Sequence, residues 1–414
     1  MEVWTIIKNI LMLLAGLGVF MYGMKHMGDS LQAGSGEKLR YVFSKITGSR
    51  MRGIATGAAV TAVIQSSSAT TVMVVGFVNA GILTLTQATS VIMGANIGTT
   101  VTGLIISLKS LPIAQIFAAL SCIGIFIIIF SKNARLRIIA NVIIGLGFIF
   151  VGLIIMGSAM KDFSALPAVK EMFINTTNPI LLLLIGALLT AIIQSSSATT
   201  GILITLAGVG LIELDSALYV ILGVNIGTCI TAMLAAIGTV TAAKRAAVVH
   251  LLFNLIGTFV FLMLFIIPSI NRAIVFILPG NIEFKIAIFH LLFNISTTLL
   301  LAPFIGILVR FVEKIVPGKL IIDTHALTTK YIDDRLLATP SIALGECKEE
   351  IIYMAGLAYD NFATSIKAII SFDLSEREAF DKQENLINYL NKEITKYLVK
   401  ISGSIASTYE EAII

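Results

Sequence analysis

The chain has 414 residues, of which 57% are apolar and 13% are charged, and its formal net charge is +5. A soluble domain typically carries roughly 25% charged and 45–50% apolar residues. This composition excludes an ordinary soluble enzyme, a disordered chain and a nucleic-acid-binding protein. It indicates an all-α, polytopic membrane protein.

Charge divides the chain into two parts. Residues 1–317 carry 19 Lys and Arg against 9 Asp and Glu, whereas residues 318–414 carry 10 against 15. We therefore expect a basic transmembrane domain over 1–317, followed by an acidic, more polar helical domain over 318–414. The three cysteines lie far apart and form neither a CxxC pair nor a disulfide framework.

The first apolar stretch, residues 3–24, is too long for the apolar region of a signal peptide, so we interpret it as a membrane span. Long apolar runs follow it and predict further spans. They cover about 88–108, 112–130, 138–157, 216–239, 246–267 and 284–309. Four basic segments separate these runs, and the positive-inside rule places all four in the cytoplasm. They are 25–52, 131–137, 240–245 and 310–319.

Two other apolar runs, 54–80 and 179–209, contain a polar cluster at their centre. If both runs crossed the membrane, the basic segments would fall on opposite sides. If both are re-entrant hairpins, one from the cytoplasm and one from outside, every basic segment is cytoplasmic. Polar, non-helical backbone at membrane depth is tolerated only where it is buried in protein or lines a wet cavity.

The polar clusters belong to an internal repeat. Residues 61–71 read TAVIQSSSATT and residues 190–200 read TAIIQSSSATT, an offset of 129 (190 − 61 = 129). At the same offset, GANIGTT at 94–100 matches GVNIGTC at 223–229. Glycines and methionines of the first span also recur at this offset in the run 138–157.

The repeat predicts two halves, about 3–130 and 132–267, with the span 284–309 outside it. Three crossings separate the two hairpins, so the second half is inverted relative to the first. Inverted-topology repeats with paired broken segments are a common architecture of secondary transporters. Outside the repeat, HLLFN at 290–294 echoes HLLFN at 250–254.

The repeated motifs offer hydroxyls and amides without net charge. A helix that begins at the Gln-Ser-Ser-Ser run presents free backbone N–H groups and a positive dipole end to an anion. Hydroxyl and carbonyl oxygens at the same place suit a hard cation such as Na⁺. One polar site built from both halves can therefore hold an oxyanion and one or more Na⁺ ions.

The paired QSSSATT and G-x-N-I-G-T segments, with GLGVFMYGM at 16–24, strongly resemble the bacterial form of the type II sodium/phosphate cotransporters. The resemblance covers about residues 1–310 and implies Na⁺-driven uptake of inorganic phosphate, with both hairpins lining the transport site. On this chain, the expected phosphate-binding residues are Gln65, Ser66, Ser67, Ser68, Ser195, Ser196 and Ser197. The expected sodium ligands are Gln194, Ser195, Ser196, Thr228, Thr231 and Asn225. A second ion site is expected at Gln65, Ser66, Asn96, Thr99 and Thr102.

The tail changes character after residue 318. Residues 341–371 and 375–401 are predicted to form two long helices that resemble the start of a PhoU-like domain, which we expect to be incomplete. Glu346 and Glu350 resemble a PhoU metal-binding pair, although their spacing also fits a solvated helix face.

We therefore expect a sodium-coupled phosphate symporter that works by alternating access and is no enzyme. A passive phosphate channel or exporter, and a membrane-tethered phosphate sensor, are the alternatives. The expected location is the bacterial inner membrane, with a cytoplasmic tail. Phosphate, Na⁺, the bilayer and a second copy of the chain in a homodimer are the expected partners. No cofactor is expected, and sodium, the coupling ion, is the sole metal.

Overall fold

The computed structural model describes residues 2–44, 49–110, 113–166, 171, 176–318 and 328–402. Within these ranges the chain forms helices and connecting turns, and no β-strand. The predicted all-α class is confirmed. The basic residues Lys45 and Lys319, and both ends of the tail, lie outside the described residues.

The helices follow one another with short connections. In the transmembrane part they are α1 (Glu2–Ser44), α2 (Arg50–Ile64), α3 (Ser67–Asn79), α4 (Leu85–Ser107), α5 (Ile113–Phe130), α6 (Ala134–Ser164), α7 (Pro179–Ile193), α8 (Ser196–Gly208), α9 (Leu214–Ala235), α10 (Thr241–Phe265), α11 (Pro268–Ile277), α12 (Ile282–Leu301) and α13 (Ile305–Ile315). The tail contains α14 (Pro340–Ser371) and α15 (Arg377–Ser402).

Six described segments are long and apolar enough to cross a membrane, so the chain is a multi-pass membrane protein. They are Trp4–Ser35, Leu85–Ser107, Ala134–Ser164, Leu214–Ala235, Thr241–Phe265 and Ile282–Ile315. The expected span at 112–130 forms the shorter helix α5. The expected hairpins form two pairs of shorter helices, α2 with α3 and α7 with α8, each broken at its Gln-Ser step.

Glycines let the first helix of each pair pack directly against the helix that carries the Asn-Ile-Gly-Thr motif. A Cβ on Gly94 of α4 would lie 1.9 Å from the carbonyl oxygen of Ile54 in α2. A Cβ on Gly223 of α9 would lie 1.9 Å from the carbonyl oxygen of Leu183 in α7. The same close contact thus forms in both halves and places each hairpin against its own motif helix.

The repeat-related helices α1 and α6 run in opposite directions. Gly16 faces Gly152, whereas Gly23, further along α1, faces Gly145, which comes earlier in α6. Helix α1 packs along α6, and α6 also packs against α5.

The tail packs against helices that contain the repeated motifs. Leu336, in the 3₁₀ turn Asp334–Ala338, is fully buried and lies against Gly76 of α3. Asn79 at the end of α3 donates to Asp333 at 2.9 Å, and Arg335 donates to the carbonyl oxygen of Ala235 at the end of α9 at 3.2 Å. One short turn therefore joins α3 to α9.

The predicted tail helices are α14 and α15, which pack against each other. Glu350 does not lie on a solvated helix face, because its side chain is fully buried. Its carboxylate accepts the backbone N–H groups of Lys330, Tyr331 and Ile332. These bonds satisfy the buried charge without a metal ion.

Candidate functional site

The two Gln-Ser-Ser-Ser turns have the same backbone conformation. Gln65 and Gln194 end α2 and α7 in the left-handed region, with φ of 58° and 57°. The next residues, Ser66 and Ser195, are N-caps of α3 and α8, and their hydroxyl oxygens accept the N–H groups three residues later at 3.1 and 3.2 Å. The chain thus reverses sharply and begins a new helix at the same point of each repeat.

Each turn leaves donors for an anion. In α3 the N–H of Thr70 already donates to the Ser66 carbonyl, but those of Ser67 and Ser68 have no acceptor among the described residues. The equivalent N–H groups of Ser196 and Ser197 at the start of α8 are free in the same way. Two helix N-termini, each with two N–H groups and three serines, can bind a tetrahedral oxyanion without a positive side chain.

In the first half, the hairpin side chains bond directly to α4. Thr102 donates to the side-chain oxygen of Gln65 at 3.0 Å, and Thr99 donates to Ser67 at 3.1 Å. Both glutamine and serine are buried there. The structure thus brings together four of the residues that were expected around the first hairpin.

In the second half, the equivalent groups stay apart. Thr228 donates to the Val224 carbonyl at 2.8 Å and Thr231 donates to the Thr228 carbonyl at 3.0 Å. Gln194 is exposed, and its side chain has no hydrogen bond to any described residue. Since both threonine protons are already donated to the backbone, their oxygen lone pairs are free to face a cation. These oxygens are therefore available in the second half, whereas the matching groups of the first half bond to one another.

The two motif asparagines point away from the hairpins. Asn225 was expected to bind sodium, but its side-chain oxygen accepts from His290 at 3.1 Å and from Asn294 at 3.2 Å, both on α12. Asn96 of the expected second ion site accepts from Asn254 of α10 at 3.4 Å. Sequence reasoning missed these partners, although the duplicated HLLFN segments contain all of them.

Helices of the two halves also contact each other. Helix α3 contacts α9 of the other half, and α8 contacts α4. Beyond the far end of α4, the ammonium of Lys109 donates to Thr205 of α8 at 3.4 Å. Burial lowers the pKa of Lys109 to about 8, and the nearby carboxylate of Glu283 partly opposes that shift.

A family model described as Na⁺/Pi-cotransporter matches residues 19–158 and 159–269. These ranges contain both hairpins and both Asn-Ile-Gly-Thr helices. The chain therefore belongs to the Na⁺/Pi-cotransporter family, which is a family of transporters and not of enzymes.

Two of three curated relatives compared with the chain carry names of phosphate transport. The chain is 30% identical over 394 residues to YjbB of Salmonella typhimurium, named as an inorganic phosphate export protein, over 95% of this chain and 71% of that protein. It is 33% identical over 314 residues to the uncharacterized protein YqeW of Bacillus subtilis, over 75% of this chain and 97% of that protein. It is 41% identical over 98 residues to the human sodium-dependent phosphate transport protein 2C, over 23% of this chain and 16% of that protein. No solved structure matches the chain.

Proposed function

We propose that the protein is a secondary active transporter that moves inorganic phosphate together with Na⁺ by alternating access. The paired hairpin turns carry this proposal, because each ends in a helix N-terminus with free N–H groups next to three serines. Phosphate binds between them, on Ser66–Ser68 and Ser195–Ser197. The hairpins present no positively charged side chain to the anion. A mobile cation, Na⁺, therefore balances the charge of the bound phosphate.

The coupling ion binds in the second half. Gln194, Ser195, Ser196, Thr228 and Thr231 supply its oxygen ligands, because their counterparts in the first half are engaged with one another. Asn225 takes no part in the conformation described, since its side-chain oxygen already accepts two N–H groups. The first half becomes the second ion site only when its own contacts open.

Phosphate export is the second candidate function. It is favoured by the relative named as an export protein, which matches 95% of this chain, whereas the sodium-dependent relative matches 23%. Symport and passive export use the same anion site and differ in whether flux follows the Na⁺ gradient. A membrane-tethered sensor would bind phosphate without any flux.

Uptake of radiolabelled phosphate into proteoliposomes tests these candidates. We expect uptake when Na⁺ is higher outside than inside, and none when K⁺ replaces Na⁺. Flux that follows the phosphate gradient alone supports the exporter, and saturable binding without flux supports the sensor. The double variant Ser67→Ala, Ser196→Ala is the site control, and flux unchanged in that variant contradicts the hairpin site.

The proposal includes an arrangement in the membrane. The helix pairs α2–α3 and α7–α8 are re-entrant hairpins in two inverted repeats, a view supported by the opposite directions of α1 and α6. The protein lies in the bacterial inner membrane, where its basic connections and its PhoU-like tail face the cytoplasm. It forms a homodimer and needs no cofactor besides its coupling ions.

A further inference from the structure

The two HLLFN segments take no part in the proposed phosphate and sodium sites. They lie 40 residues apart in α10 and α12 (290 − 250 = 40). Their polar members, His250, Asn254, His290 and Asn294, are all buried. Ionisable and amide side chains inside a membrane domain are costly unless they are bonded, so their partners indicate their purpose.

Their asparagines contact the motif helices in a matched way. The side-chain nitrogen of Asn254 donates to Asn96 of α4, and that of Asn294 donates to Asn225 of α9. Asn96 and Asn225 are equivalent in the repeat (225 − 96 = 129). The contact between α10 and α4 is therefore equivalent to the contact between α12 and α9.

A second pair of hydrogen bonds joins α10 to α9 and α12 to α4. One turn beyond each asparagine, Thr258 of α10 donates to the Leu222 carbonyl of α9, and Thr298 of α12 donates to the Met93 carbonyl of α4, both at 3.4 Å. Leu222 and Met93 are again equivalent (222 − 93 = 129). One operation thus exchanges α4 with α9 and α10 with α12. The span 284–309, which the 129-residue offset places outside the repeat, is therefore related to α10 by its contacts.

Two bonds break this symmetry. In the first, Asn254 of α10 also donates to the sulfur of Cys229 in α9 at 3.2 Å, whereas their equivalents Asn294 and Thr100 share no bond among those of the described residues. The second involves His290. The ring nitrogen Nε2 of His290 bonds to the side-chain oxygen of Asn225 at 3.1 Å. It must be the donor, because the Asn225 nitrogen donates to the Ile221 carbonyl and leaves the oxygen facing the ring. His250 has no counterpart bond, and neither of its ring nitrogens has a partner among the described residues.

The hairpins differ between the halves as well. The bonds from Thr99 to Ser67 and from Thr102 to Gln65 have no counterparts in the second half. Exposure also differs at equivalent positions, since Ala198 is fully buried in α8 whereas its equivalent Ala69 in α3 is partly exposed. The structure therefore holds its two equivalent halves in two different arrangements.

We propose that His250 and His290 are alternating positioning residues. His290 holds Asn225 in the conformation described here, and His250 holds Asn96 in the opposite conformation of the cycle. This rests on the proposed alternating access, in which inverted halves exchange their arrangements when the site changes sides. In the opposite conformation, the hairpin contacts pass to the second half, with Thr228 on Ser196 and Thr231 on Gln194.

Thiol labelling of purified full-length protein, without phosphate or Na⁺, tests the exchange. In a background with Cys122→Ala, Cys229→Thr and Cys347→Ala, the reporters are Ala198→Cys and Ala69→Cys. We expect His290→Gln to speed modification of Ala198→Cys about fivefold, the effect of losing one neutral hydrogen bond. We expect the same variant to slow modification of Ala69→Cys. His250→Gln should act in the opposite direction on both reporters.

Thr258→Val and Thr298→Val are the matched controls. Each removes a bond whose equivalent is also present, so neither favours one conformation, and labelling should stay unchanged. If both histidine variants shift labelling in the same direction, or neither shifts it, the histidines serve packing alone and the proposal fails. Because the assay contains no transported ion, absence of phosphate flux would overturn the proposed function while leaving this result intact.

Discussion

Gln65 and Gln194 contribute both a backbone conformation and a side-chain amide to the site. Each adopts a left-handed conformation that costs a non-glycine residue about 1 kcal/mol or more. Each also brings a side-chain amide to the point where a new helix starts. The side-chain amide explains why a strained, non-glycine residue occupies this position. Replacement by glycine relieves the strain and removes the amide, so it separates the two effects.

We expect Gln194→Gly to be more stable than Gln194→Ala by about 1 kcal/mol, because glycine adopts positive φ without steric cost. Both variants lose the amide oxygen, so both should need more Na⁺ for half-maximal uptake. Thermal unfolding in detergent measures the first effect and proteoliposome uptake the second. If the glycine variant transports as the parent does, the amide binds no ion.

Thr231→Val should raise the Na⁺ concentration for half-maximal uptake more than it alters phosphate affinity at saturating Na⁺. Valine keeps the shape but removes the oxygen that would face the ion. Thr239→Val is the matched control, because the Thr239 hydroxyl also donates to the carbonyl three residues earlier and Thr239 is not among the expected sodium ligands. Equal Na⁺ dependence in the two variants would place the cation elsewhere.

At the scale of helices, close packing of α7 against α9 depends on the lack of a side chain at Gly223. A Cβ there would overlap the Leu183 carbonyl oxygen, which belongs to backbone and cannot rotate away. The same contact at Gly94 fixes α2 on α4. The repeated glycines are therefore needed to hold each hairpin turn beside its motif helix.

Gly223→Ala should destabilise the protein by about 1–3 kcal/mol or more, the cost of overpacking a tight contact. Gly18→Ala is the control, because a Cβ at Gly18 would meet no atom within 4 Å. Thermal unfolding of both variants in detergent gives the comparison. Similar melting temperatures would show that α7 and α9 can separate at little cost.

The repeated Gln-Ser-Ser-Ser runs predicted a new helix start in the middle of each hairpin, and the resemblance to the cotransporters implied that each run groups with an Asn-Ile-Gly-Thr motif. Those features follow from local chemistry that is written twice. The direction of the Asn225 side chain could not be predicted, because it depends on His290, which is distant in sequence. The difference between the two halves could not be predicted either, because two copies of the same motif do not reveal which conformation each copy adopts.

At the scale of the whole molecule, re-entrant hairpins determine which connections lie on the same side of the membrane. Residues 50 and 82 flank α2 and α3 and should face the same side of the membrane. In a cysteine-free background, Arg50→Cys and Ile82→Cys should react with an impermeant maleimide from one side, and Glu213→Cys from the other. Labelling of residues 50 and 82 from opposite sides would make 54–80 a membrane span.

The tail's attachment is a second property of the whole molecule. Leu336→Ala should weaken docking by about 2–5 kcal/mol, because Leu336 is fully buried against α3. Lys400→Ala, which removes an exposed ion pair with Asp334, should change docking by only about 0–1 kcal/mol. Amide hydrogen exchange of residues 328–338 measures both. Unchanged protection in Leu336→Ala would mean that other contacts hold the tail.

The turn that joins α3 to α9 has a thermodynamic consequence. Arg335 and Asp333 bind one helix from each half, so their contacts are sensitive to any relative movement of the halves. Binding equilibria that share a conformational change are reciprocal. If an occupied transport site loosens the tail by some factor, a partner that captures the loosened tail must tighten ion binding by that same factor. Under that condition, the contacts of Asp333 and of the five-residue turn that follows it would report the occupancy of the membrane site to the tail.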